Sequence, residues 1–291
     1  MKILVFGANG MLGHKLVQRL SSQFEVFGTI RGAFESVEQF GIFKREFIIE
    51  HVSAQDVASI EAAIQTAQPD VVINAIGIVK QLPTAKEVIA TLEVNSIFPH
   101  RLAEFSQKYG FRLITVSTDC VFDGEKGNYV ETDTTNATDL YGRSKALGEV
   151  TFENCLTLRT SIIGRELGEP HSLIDWFLSN RGGVVKGFTK AIYSGFPTVV
   201  FADMIVSLII DQPQLSGLYQ VASEPINKFE LLTLVNSAFD ANITIEPSDE
   251  VAIDRSLNGS KFTDATGFKP IPWPEMVELM ANDAVDSNET K

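Results

Sequence analysis

The apolar run Lys2–Phe6 leads directly into Gly7, Ala8, Asn9, Gly10, Met11, Leu12 and Gly13, and an amphipathic stretch over Met11–Ser21 opens inside that loop. This strand, glycine turn and helix in succession constrain the architecture more than any other segment. Gly7 permits a tight turn, Gly10 lets the backbone approach a pyrophosphate, and Gly13 lets the helix pack close to the sheet. Asn9, Met11 and Leu12 complete a loop whose helix N-terminus aims backbone N–H groups at phosphate oxygens. In this context the pattern predicts a dinucleotide-binding α/β domain.

The following residues agree. Strand patterns at Glu25–Ile30, Glu46–Ile49, Asp70–Ala75, Arg112–Ser117 and Leu156–Thr160 alternate with helical patterns at Ala54–Ala67, Lys86–Tyr109 and Leu140–Phe152. Several strands are apolar at consecutive positions, the mark of cover on both faces. The alternation predicts a Rossmann-type, doubly wound parallel sheet with right-handed crossovers. Regular alternation ends near Arg165. Residues 1–165 are read as an NADP-binding domain to which some later segments return. Residues 166–291 are read mainly as a smaller, interlocked C-terminal substrate lobe over the carboxyl edge of the sheet. Within the lobe, HSLIDWFLSN and FADMIVSLII read as helices, AIYSGFPTVVF as a strand with a Gly-Phe-Pro turn, and Pro274–Asn282 as a further helix. The polar DSNETK tail is expected to fray.

A net charge of −13 argues against nucleic acid as a partner, because such a surface would need a basic face. The opening apolar run is too short to span a membrane and is followed by a glycine loop, unlike a signal peptide. Cys120 and Cys155 lack metal-type spacing and read as reduced thiols. A cytoplasmic protein is expected. His14, His51, His100 and His171 form no ligand spacing, and no motif places a metal.

The second strand bears on cofactor choice. An NAD site would place a carboxylate near its end to hold the ribose 2′-OH. Here the segment runs Phe27, Gly28, Thr29, Ile30, Arg31. A guanidinium matches a phosphate in forked geometry, so Arg31, with Thr29, is expected at a 2′-phosphate, favouring NADPH over NADH.

Tyr141 and Lys145 are spaced one helical turn apart, on one face. A nearby ammonium stabilises a phenolate and brings a phenol toward working range, and Lys145 can also donate to ribose hydroxyls. Such pairs are common on helix surfaces; what lifts this one is the end of the fifth strand, Ser117-Thr118-Asp119-Cys120. A hydroxyl there can hydrogen-bond a substrate carbonyl as charge builds on its oxygen. Thr118 is the first choice and Ser117 the fallback.

GANGMLG, STDCVFDG and YGRSK, in this order and spacing, resemble the extended short-chain dehydrogenase/reductases and, more narrowly, the dTDP-4-dehydrorhamnose reductase group. The resemblance spans nearly the whole chain, including Asn95, Arg159-Thr160-Ser161, Gly195-Phe196-Pro197-Thr198 and Asp254-Arg255. It implies Thr118, Tyr141 and Lys145 as the catalytic set, and Asn74, Ala75, Ile76, Gly77 and Ser117, with Tyr141 and Lys145, beside the cofactor. It implies Asn95 as a supporting residue. Related 4,6-dehydratases carry Asp-Glu after the catalytic Thr; Asp119-Cys120 lacks the Glu needed for elimination, which favours plain reduction. The implied activity is NADPH-dependent reduction of a nucleotide-diphospho 4-keto-6-deoxy sugar, for deoxysugar and surface polysaccharide synthesis. A sugar-nucleotide epimerase of the same superfamily and a non-catalytic NADP-binding regulatory subunit are the alternatives. A homodimer is in keeping with the group.

The chain departs from the group at Cys120, where an aromatic is common, and at Ile76–Lys80, so a UDP-linked N-acetylated deoxyhexulose competes as substrate. Lys80, Trp176 and Arg255 are the expected substrate contacts: Arg255 to a diphosphate, Trp176 stacked on a base or sugar.

Overall fold

The computed structural model describes residues 1–80, 86–168 and 172–283. In chain order the strands are β1 (Lys2–Phe6), β2 (Glu25–Thr29), β3 (Ile48–Ile49), β4 (Val71–Asn74), β5 (Arg112–Thr118), β6 (Cys155–Thr160), β7 (Ile162–Ile163), β8 (Val184–Tyr193), β9 (Phe196–Pro197), β10 (Gly217–Gln220), β11 (Ile226–Asn227) and β12 (Thr244–Asp254). The helices are α1 (Met11–Leu20), α2 (Glu35–Glu38), α3 (Val57–Ala67), α4 (Val88–Leu92), α5 (Phe98–Tyr109), α6 (Leu140–Leu147), α7 (Leu173–Leu178), α8 (Thr198–Asp211), α9 (Lys228–Ala238), α10 (Ser260–Thr266) and α11 (Trp273–Asn282).

The consecutive apolar positions find cover on both faces, since β4 and β6 are buried at every residue. They lie inside a seven-stranded parallel sheet of order β10-β6-β5-β4-β1-β2-β3, the doubly wound Rossmann topology extended by one strand. One face packs on α1, α8 and α11 through Leu12, Leu16, Ile205 and Met276. The other packs on α3 and α5 through Ile60, Ile64, Leu102 and Phe105. The strand β10 and the helix α8, which packs on α1, both come from beyond residue 165. The remaining segments carry a three-stranded sheet, β11-β8-β12, and the β7-β9 pair. No described helix is long and apolar enough to cross a membrane.

Several boundaries differ from the sequence pattern. The helix expected over Lys86–Tyr109 is α4 and α5 joined by a π-helical turn, Glu93–Ile97. The helix expected to run to Phe152 stops at Leu147, where the chain turns at Gly148. The third strand shrinks to Ile48–Ile49 behind a 3-10 turn over Arg45–Phe47. In AIYSGFPTVVF the strand β8 ends at Tyr193, and Thr198 already begins α8 behind Pro197. Burial of Val199, Val200 and Phe201 on that helix overrides their β propensity. His171 and the DSNETK tail lie outside the described residues.

Candidate active site

A cavity of about 520 Å³ opens at the carboxyl ends of β1, β4 and β5 and reaches to β8, α9 and the end of β12. Its position is the crevice in which doubly wound sheets take ligands, and its size suits a small molecule.

At one end lies the glycine loop. Gly7 has φ +83°, and a Cβ on Gly13 would overlap the Gly7 carbonyl, so helix and loop can approach this closely only with glycine there. Gly10 precedes α1, no side chain caps its first turn and no acidic residue sits in it. Gly10, Met11 and Leu12 line the cavity, together with Asn74, Ala75, Ile76 and Gly77 from the end of β4. The free N–H groups of α1 thus face the cavity, an arrangement that fits a dinucleotide pyrophosphate. Asn74 Oδ1 accepts from the Ile76 N–H at 3.1 Å, while its buried Nδ2 has no partner among the described residues. Asn9 is exposed on the loop and does not line the cavity.

Thr29 departs from the position expected for it at a 2′-phosphate. It is buried, and its hydroxyl accepts from the Gly7 N–H at 3.3 Å, so it braces the loop rather than facing a 2′-phosphate. Arg31 is exposed just beyond β2 and makes no ion pair or hydrogen bond among the described residues.

In the middle, Thr118, Tyr141 and Lys145 converge. Thr118 ends β5, and its Oγ1 accepts from the Cys120 N–H at 3.1 Å, capping the 3-10 turn Asp119–Val121. Tyr141 and Lys145 project from α6, which is capped by Asp139 accepting from the Gly142 N–H at 2.8 Å. A Cβ on Gly142 would collide with the Cys120 carbonyl, so this glycine lets α6 approach the end of β5. The Tyr141 hydroxyl neighbours Thr118; burial, then the nearby Cys120, pushes its phenol above the ordinary range. Lys145 Nζ donates to the Val116 carbonyl at 2.8 Å, and burial lowers its ammonium to about 8, opposed by Glu149. The Ser117 hydroxyl is committed elsewhere. It donates to Glu149 at 2.7 Å, and Glu149 is held by Arg159 through two further bonds of 2.7 Å in a buried pair. Asn95, on the π-helical turn, accepts from the Ile78 N–H and donates to the Ile78 carbonyl and Ser144 Oγ, tying the loop after β4 to α6.

At the far end, Lys80 lines the cavity but pairs with Asp139 at 2.6 Å and lies 5.6 Å from the centre of the Tyr141 ring. Arg255 also lines it, its guanidinium anchored on the Phe122 and Asp123 carbonyls at 3.0 and 3.4 Å. Trp176 does not: it is 46% exposed on α7, whose neighbours Ile174 and Phe177 take the buried face. Sequence reasoning missed Lys228, at the start of α9, which lines the cavity with no hydrogen bond or ion pair among the described residues and is lowered by burial. It also missed Tyr193, whose buried hydroxyl has no hydrogen-bond partner among the described residues. No local signal marks either residue, since the fold alone brings them to the cavity.

Comparison with known proteins adds lineage. A profile of the RmlD substrate binding domain matches residues 1–285. A dTDP-4-dehydrorhamnose reductase from Aggregatibacter actinomycetemcomitans is 28% identical, over 98% of this chain and 90% of its own. Among solved structures, a hypothetical dTDP-4-dehydrorhamnose reductase from Sulfolobus tokodaii superposes with TM-score 0.78 at 27% identity, covering 94% of this chain and 98% of that one. The fold is shared with a Bacillus anthracis dTDP-4-dehydrorhamnose reductase in complex with NADP, at TM-score 0.76 and 21% identity over 96% and 98%.

Proposed function

Since the chain belongs to the RmlD substrate-binding-domain family of the extended short-chain dehydrogenase/reductases, nicotinamide-dependent oxidoreductases acting on a keto group, we propose that it reduces the 4-keto group of a nucleotide-diphospho 6-deoxy sugar with NADPH. The observation that carries this reading is the convergence of Thr118, Tyr141 and Lys145 on the cavity into which the α1 N-terminus opens. NADPH, also favoured by the NADP complex of the Bacillus anthracis relative and by the unpaired Arg31, supplies a hydride when bound. The loop N–H groups and Gly10 hold the pyrophosphate, and Arg31 meets the 2′-phosphate.

Thr118 and Tyr141 hydrogen-bond the keto oxygen, and Tyr141 gives its proton to the alkoxide. The charged Lys145 stabilises the phenolate left behind. Arg255 and Lys228, cationic and facing the same end of the cavity, suit the diphosphate of the substrate. Lys80, paired with Asp139, lies by the Tyr141 ring, where it suits a contact with the sugar.

The test follows NADPH absorbance with dTDP- and UDP-linked 4-keto-6-deoxy sugars. Tyr141→Phe lowers kcat by roughly 10²–10⁴-fold, the usual contribution of a positioned acid. Lys145 is charged below about 8 and neutral above it, so kcat falls as pH rises through that value. NADPH binding without consumption, with every sugar tried, would instead support a regulatory subunit and defeat the reductase reading.

A further inference from the structure

A hydroxyl group has one proton to give and two lone pairs to offer. At Thr118 one lone pair is taken by the Cys120 N–H at 3.1 Å. Two neighbours then compete for what is left: Asp119 Oδ1, 3.0 Å away and placed to accept the Thr118 proton if ionised, and the neighbouring hydroxyl of Tyr141. An ionised Asp119 can only accept, so it would claim the Thr118 proton and leave Thr118 turning a lone pair toward Tyr141. That orientation is unfavourable once Tyr141 has lost its proton, because lone pair and phenolate repel.

We propose that Asp119 works as a neutral carboxylic acid that donates to Thr118 Oγ1 and thereby turns the single Thr118 proton toward the Tyr141 oxygen and the substrate oxygen beside it. Asp119 is a positioning residue on this assignment, acting through Thr118, and the proposal rests on the reductase reading given above. It asks for no net proton transfer: the carboxyl keeps its proton throughout, and the proton delivered to the alkoxide is that of Tyr141.

The surroundings of Asp119 are those of a carboxyl kept neutral. The residue is 6% exposed and has no ion pair among the described residues. Burial pushes it above the usual carboxylate range, against the hydrogen bonds with Thr118 and Cys120 and the charge of Arg255. The charged or titratable groups that face it are Cys120, Tyr141, Tyr193, Lys228 and Arg255. Of these, Arg255 is spread over the Phe122 and Asp123 carbonyls rather than bonded to Asp119. A carboxyl held neutral in an apolar site so that it can donate is a known use of burial in catalysis.

Asp119→Asn and Asp119→Ala separate the roles. The amide of Asn can donate to Thr118 as the acid does, whereas Ala can do neither. Asp119→Ala should lower kcat by about a hundredfold and Asp119→Asn by less than about tenfold, with the NADPH dissociation constant the same in all three proteins. The infrared difference spectrum of the native protein minus Asp119→Asn, at neutral pH, should carry the carbonyl stretch of a protonated acid, shifted by deuteration. A carboxylate band in its place, or an Asn variant as impaired as the Ala variant, overturns the proposal. If the native protein consumes no NADPH with any keto sugar, the reductase reading falls, while the infrared band still decides the protonation state of Asp119.

Discussion

At the Gly10 end of the cavity the walls come from residues adjoining the ends of β1 and β4, and the contacts offered are largely backbone N–H groups. At the Lys228 end the walls come from β8, α9 and the end of β12, and the offered groups are an ammonium, a guanidinium and a phenol. Backbone groups can recognise only what every dinucleotide shares. Side chains borrowed from distant segments can change one at a time without disturbing the sheet. One protein can therefore keep its coenzyme while its substrate drifts; of the departures from the group, Lys80 falls on the side-chain half, Cys120 beside Tyr141 in the middle, and Ile76 and Gly77 beside the glycine loop.

The contrast can be broken most forcefully at Gly13. Gly13→Val places atoms inside the Gly7 carbonyl, and because helix and strand are both held by the core, the loop must distort. NADPH binding should be abolished and the melting temperature should fall; a variant binding NADPH normally would show that the loop is not sterically fixed. A smaller effect is expected at Arg31. Arg31→Ala removes a charge-assisted contact of about 1.5–3 kcal/mol, roughly a tenfold to hundredfold rise in KM for NADPH with KM for NADH unchanged. Equal changes for both coenzymes would remove Arg31 from the 2′-phosphate. Smallest, and confined to the other end, Lys228→Met should raise KM for the nucleotide sugar about tenfold and leave NADPH affinity alone. A change in NADPH affinity instead would show that the two ends are not independent.

How much of this could be read in advance depends on how local the cause is. The glycine loop was legible because the steric demands on Gly7 and Gly13 arise within one turn of chain. Tyr141 and Lys145 were legible because helical spacing puts them on one face and the Ser117-Thr118 strand end precedes them in the chain. Trp176 was misplaced toward the substrate because its spacing on α7 leaves two ways to face the helix, and burial of Ile174 and Phe177 decides which. Thr29 was assigned to the phosphate because a hydroxyl at a strand end has two directions available, and Gly7 takes it. Lys228, Tyr193 and the enclosure of Asp119 carried no local signature. Their roles follow from the parallel pairing of β12 with β8 and from α9 packing beside them, neither of which spacing along the chain encodes.

The placement of β10 beside β6 has a consequence for how the molecule is made. Synthesis runs from the amino end, so β6 emerges well before its outer neighbour, and α8, which covers α1, emerges between the two. At about 5–20 residues per second, the nascent sheet spends a few seconds with β6, a strand buried along its whole length in the finished fold, as its open border. An open border of that kind is a template for pairing with another chain. The interval between β6 and β10 leaving the ribosome is therefore when this protein most needs a chaperone, and slowing translation across it would lower the yield of native molecules.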